Sequence, residues 1–155
     1  MSKKIEHLWS ILCEKSVIDQ ETNNISLTNV LESIQVQIQL AKDVSIEGNL
    51  LTAEKALPIN FELVTAWRRL GEGEIKEPAR VECFDPNGKL LATYDYKVEM
   101  VKSSERYRFR TRFNGFKFTV PGNYRFVTKL RQGSGYKEVG AAFFDVKMAF
   151  PNLSK

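Results

Sequence analysis

Arg106, Arg108, Arg110 and Arg112 recur at every second position of one short stretch, and the aromatics Tyr107, Phe109 and Phe113 fall on intervening positions. Side chains of an extended strand alternate between faces, so the four guanidiniums share one face, about 6.8 Å from one to the next. Arg125, Lys129 and Arg131 repeat the pattern later in the chain. If the two strands lie in one sheet, the seven cations form a basic plate. The chemistry of such a plate is polyanion binding: guanidinium forks match phosphate oxygens, and clustered cations release counterions from nucleic acid. The aromatics point the other way, whereas a single-strand binder presents rings and cations on one surface.

Charge is unevenly spread. Between Arg106 and Lys137 there are nine Lys or Arg and no Asp or Glu, while the whole chain is only +4, so the remainder is acidic at −5. A solvated sheet face with cross-strand ion pairs accounts for the same pattern. Pairing Lys89–Val101 with Arg106–Phe113 would set Glu99 opposite Arg108 and Asp95 opposite Arg112, with Lys97 opposite Arg110 as a clash. It would also set Met100 by Tyr107, Val98 by Phe109 and Tyr94 by Phe113, so both faces agree. Exposed pairs of this kind contribute about 0–1 kcal/mol each. The solvated reading takes precedence over polyanion binding.

Other reactive side chains are sparse. His7 is the one histidine, and no Ser-His-Asp or Cys-His arrangement has a local signature; it is expected at the surface or a strand edge. Cys13 and Cys83 with one histidine make no zinc spacing, and they are expected as buried free thiols. Glu72, Glu74 and Glu77 sit beside Gly71 and Gly73, as solvated loop acids do, without the alternating Asp/Asn of a calcium loop. Gly133 and Gly135 mark a turn; no glycine loop leads into Lys-Ser/Thr. No catalytic residue, cofactor or metal is therefore expected, and the chain is read as a non-enzyme.

The elements that must position these residues are strands. With 155 residues, 43% hydrophobic and 27% charged, the composition is that of one globular domain. Glu6, His7 and Ser10 interrupt the first apolar run, so no secretory signal is expected, no span is long enough for a membrane, and the expected location is cytoplasmic. Ile5–Ile18 alternates as a first strand. Ile25–Leu40 is a second extended stretch, broken near Asn29–Glu32. Ile59, Phe61, Leu63, Thr65 and Trp67 line one face of a third. Asp85-Pro86-Asn87-Gly88 is the strongest hairpin signal, between Ala79–Phe84 and Lys89–Val101. Phe116, Phe118 and Val120 continue the arginine strand. Tyr124–Arg131 and Tyr136–Met148 close the fold, with Gly140 a candidate bulge. Phe143 and Phe144 are adjacent, so one of them is expected to face outward.

This pattern predicts an all-β, antiparallel, Ig-like sandwich of about seven to eight strands, a single domain over residues 1–155 with a long loop at 41–57 and a short tail at 149–155. Pro121-Gly122-x-Tyr124 is similar to the corner of Ig-like sandwiches, where a tyrosine hydroxyl bonds back to backbone.

The order of motifs is also familiar: Leu12-Cys13-Glu14, then Ile25-Ser26-Leu27, then Asp85-Pro86-Asn87-Gly88, then Pro121-Gly122-x-Tyr124. It resembles a family of small bacterial proteins known only as a domain of unknown function. The resemblance implies a bacterial or phage source and a β-sandwich, and carries over no site residues.

The functional expectation is a binding or structural module acting through an unknown protein partner or self-association, with open sheet edges and an exposed Phe143 or Phe144 as contact surfaces and with no membrane partner. The alternative is nucleic-acid or other polyanion binding through Arg106, Arg108, Arg110, Arg112, Arg125, Lys129 and Arg131.

Overall fold

A computed structural model describes residues 3–37, 59–116, 118 and 120–149. The expected loop at 41–57 lies outside the described residues, as does all but the first residue of the expected tail. Nine strands form among the described residues: β1 (Ile5–Ile18), β2 (Ile25–Val30), β3 (Ser33–Gln37), β4 (Phe61–Arg69), β5 (Ile75–Phe84), β6 (Leu90–Met100), β7 (Arg106–Phe113), β8 (Gly122–Gln132) and β9 (Gly135–Ala149). They make two sheets, one of four strands in the order β2-β1-β4-β7 and one of five in the order β3-β9-β8-β5-β6.

The all-β reading holds; the count and the purely antiparallel topology do not. The stretch expected to break near Asn29 does so: Asn29 has φ of 52°, and β2 ends at the next residue, Val30. The amide of Leu31 then donates to the Leu12 carbonyl (2.8 Å), and the amide of Asp145 to the Glu32 carbonyl (3.0 Å). These two bonds pass the chain from one sheet to the other. β3 therefore joins the five-stranded sheet beside β9, and the pair is parallel.

The expected ladder between β6 and β7 is also absent. β7 pairs with β4, from Phe61 opposite Phe113 to Arg68 opposite Arg106, and β6 pairs with β5. The two strands lie at the same margin of different sheets and meet through side chains. Tyr96 stacks on Phe109 with centroids 4.0 Å apart, and Tyr94 meets Phe113 edge-on at 5.2 Å. Their matched alternation serves contact across the core, where a ladder would have used it equally well.

Arg69, the last residue of β4, sits where the chain crosses between the two sheets. Its guanidinium donates to five carbonyls: Ser104 (2.7 Å), Gly71 (3.2 Å), Gly73 (2.5 Å), Met100 (3.3 Å) and Val101 (2.6 Å). Those bonds hold the segment between β6 and β7 against the loop after β4.

The inner faces of both sheets share one core. Phe61 of the four-stranded sheet stacks on Phe113 (4.8 Å) and meets Phe126 (5.8 Å) and Phe144 (5.5 Å) of the other. Burying rings of this size is the main drive for closing the two sheets. Asp85 fixes the predicted hairpin turn: its carboxylate accepts the amides of Asn87 (2.9 Å) and Lys89 (2.8 Å), and Gly88 takes φ of 81°.

Candidate interaction surfaces

β7 and β8 belong to different sheets, so the seven predicted cations are not brought onto one plate. On β7, Arg106, Arg108, Arg110 and Arg112 do share a face, the outer face of the four-stranded sheet, opposite Arg68, Ala66, Val64 and Glu62 of β4.

Three of these four are engaged by the protein itself. Arg112 Nε bonds to Glu62 Oε1 at 3.1 Å. The other oxygen of Glu62 accepts the Ser16 amide (3.0 Å) and, at shorter range, the Ser16 hydroxyl. Arg110 donates to the Ser16 carbonyl (3.4 Å), and Arg108 to both the carbonyl (2.6 Å) and the side-chain oxygen (2.7 Å) of Asn23. Asn23 lies in the β1–β2 turn, and β4 separates that hairpin from β7 along the sheet. The end of that hairpin must therefore bend over the outer face and meet the arginines. Val64 and Cys13, on outward positions of their strands, are fully buried beneath this cover. Burial, with Arg106 and Arg110 alongside, pulls Arg108 below the ordinary arginine pKa. Arg106 is exposed, next to Arg68, whose own guanidinium is paired with Glu6 at 2.5 Å.

On β8, Arg125 pairs with Glu138 (2.6 Å) and Lys129 with Glu82. Arg131 bonds to the carbonyl of Gly133 (3.3 Å). Asp95 and Glu99, expected to neutralise β7, serve β5 instead. Asp95 holds Arg80 at 2.7 and 3.1 Å, which lowers its pKa, and Glu99 sits opposite Lys76.

The outer face of the five-stranded sheet carries the exposed phenylalanine. Phe144 is fully buried and Phe143 is 51% exposed. Register runs laterally from Phe143 to Arg125 on β8, to Phe84 on β5 and to Leu90 on β6. Leu90 is 48% exposed and Phe84 half-buried. This row is apolar at both ends, with one ion pair crossing it.

His7 lies on the part of β1 that pairs with β4 alone, the strand-edge placement expected, but its ring turns inward. Half-buried, its ring meets Trp67 edge-on at 5.3 Å. Its Nε2 shares a hydrogen bond with Ser10 Oγ (2.7 Å), and Ser10 Oγ another with Thr128 Oγ1 (2.9 Å). Desolvation, then the charge of Lys3, lower its pKa. Among the described residues no group of three or more His, Cys, Asp or Glu could hold a metal ion. Cys13 and Cys83 are free and buried, and burial pushes the Cys83 thiol up to about 12. No helix among the described residues is long and apolar enough to cross a membrane.

The geometry defines a two-sheet all-β domain without an assembled catalytic centre among its described residues. No protein-family model and no curated protein matches the chain. Solved structures do resemble parts of it. One is the Pseudomonas fluorescens alkylpurine DNA glycosylase AlkC bound to DNA containing an abasic site analog, with 12% identity and a TM-score of 0.43, over 59% of this chain and 26% of that one. The Bifidobacterium dentium β-glucuronidase shows 11% identity and a TM-score of 0.41, over 94% of this chain and 18% of that one. The Bacteroides uniformis β-glucuronidase shows 16% and 0.42, over 62% and 12%. The match spans 12% and 18% of the length of the two β-glucuronidases and 26% of that of the glycosylase. The resemblance to a family of unknown function is overturned: no such family matches, and the similar structures are named proteins. The motifs that carried it are turn and core positions that many sandwiches need for the same physical reasons.

Proposed function

We propose that the chain is a non-enzymatic, Ig-like β-sandwich module that works through protein contacts on the outer face of the five-stranded sheet. The observation that carries this reading is Phe143, a large ring held half in solvent by a strand whose next residue, Phe144, is locked in the core. Exposed rings at the end of an apolar row are what protein interfaces use as anchors. The Ig-like assignment is supported by Tyr124, whose hydroxyl donates to the Val120 carbonyl (2.7 Å) and accepts the Val120 amide (3.1 Å). The test is Phe143→Glu. Self-association in sedimentation equilibrium, or retention of a protein partner, should fall while the melting temperature holds. Unchanged association and retention would reject the face.

Polyanion binding is the second reading, and of the seven cations first considered it rests on Arg106, Arg108 and Arg110 of β7, since Arg125, Lys129 and Arg131 lie on the other sheet and Arg112 is paired with Glu62. It is favoured by one observation: Arg106, Arg108 and Arg110 follow one another on one face without a carboxylate partner among the described residues. A salt series with duplex DNA tests it, since each phosphate contact contributes about −0.9 to the log–log slope.

A further inference from the structure

The ladder between β5 and β8 runs from Phe84 opposite Arg125 to Ala79 opposite Leu130 and stops. Both strands continue. β5 stays paired with β6 as far as Ile75, and β8 with β9 as far as Gln132. The next residue of β5 is Pro78, which has no N–H to offer a ladder. The two strands part there, and a groove of about 840 Å³ occupies the fork.

The lining of this groove is asymmetric in charge. Lys3, Lys4 and Arg131 line it, against one carboxylate, Glu77. None of the three cations has a carboxylate within salt-bridge distance among the described residues. The backbone of Lys4 is fixed, since its carbonyl accepts the amides of Leu70 (2.8 Å) and Gly71 (3.0 Å). Ile5 and Leu130 close its floor and are almost wholly buried, so the apolar surface it offers comes from the half-buried Pro78.

We propose that this groove binds an acidic peptide segment of a partner protein in extended form. An extended chain presents alternate side chains to opposite sides, so its carboxylates would meet the three cations while intervening apolar side chains meet the half-buried Pro78. Charge complementarity selects acidic over basic segments. The proposal rests on the protein-contact reading only in taking the partner to be a protein, and it concerns a surface distinct from Phe143.

Fluorescence anisotropy with a labelled octapeptide of alternating glutamate and valine tests it, with the lysine–valine octapeptide as control. Saturable binding of the acidic peptide alone is expected. It should weaken about tenfold or more in Lys3→Ala/Lys4→Ala/Arg131→Ala, as loss of several weak ionic contacts implies. Pro78→Val restores an N–H to β5 and keeps every cation, and should also weaken binding by narrowing the fork. Phe143→Glu should bind normally, so a failure of the outer face and a failure of the groove are read separately. Absence of binding at millimolar peptide, equal affinity for both peptides, or indifference to both groove variants would overturn the proposal. Tighter displacement by a thymidine oligonucleotide would overturn it too, making the groove a phosphate site.

Discussion

The imidazole of His7 occupies the space that a side chain at Gly140 would need: a Cβ built on Gly140 falls 2.2 Å from His7 Cε1. Gly140 lies opposite Thr128, next to the bulge where Thr128 and Lys129 of β8 face Gly140 and Glu138 of β9. The missing side chain and the extra residue, Val139, make room for a histidine between the sheets. Gly140→Ala is therefore expected to destabilise the fold by at least about 1–3 kcal/mol, as overpacking does. Urea unfolding measures this, and His7→Ala in the same background should recover part of the loss.

The same histidine sets a pH dependence. Its pKa in the folded state lies below the ordinary 6.5, so the unfolded chain binds more protons at mildly acid pH. Stability should be undiminished by this group above about pH 6.5 and should decline as pH falls through and below that value. In His7→Gln this part of the decline should vanish. An unchanged profile in urea titrations between neutral and acid pH would contradict the placement of the ring.

Arg69 is expected to be among the most sensitive polar positions. Substitution by Ala strips five carbonyls of a charged donor and should cost about 2 kcal/mol or more; Lys should rescue little, because one ammonium cannot reproduce the fork. Thermal melts of Arg69→Ala and Arg69→Lys check this. Faster amide exchange over Val101–Glu105 should accompany the loss.

Tyr124→Phe keeps the ring in the core and removes the hydroxyl that holds Val120 at both its amide and its carbonyl. A loss of about 1–3 kcal/mol in urea unfolding is expected from leaving those groups without this partner.

Burial also makes the thiols inert. Cys13 and Cys83 should resist a thiol reagent in the folded protein and react fully on unfolding, since the thiolate is the nucleophile and burial raises both pKa values. Rapid native labelling would contradict their positions.

Local chemistry made much of this fold legible. Asp85-Pro86-Asn87-Gly88 dictates its turn through one carboxylate and one left-handed glycine. Pro121-Gly122 and Tyr124 likewise anticipate the bond to Val120. The break near Asn29 and the outward Phe143 followed from a turn-forming residue and from alternation. Sheet membership was not legible. β6 and β7 match in alternation whether they pair or face each other across a core, and their actual partners, β5 and β4, are not signalled by that alternation. For the same reason the β7 arginines could be placed on one face but not given partners. Glu62, Ser16 and Asn23 reach them only once β4 lies beside β7 and the β1–β2 hairpin bends over. Nor did His7 carry a signal, because its space comes from a glycine on the last strand.

The central claim is that protein contacts run through the outer face of the five-stranded sheet, and photo-cross-linking from two positions tests it most directly. A benzoylphenylalanine at position 143 should yield discrete protein adducts in cell extract, and the same group at position 106 should yield none above background. Nuclease-sensitive adducts from position 106, with nothing from position 143, would contradict the account and move the function to the arginine strand.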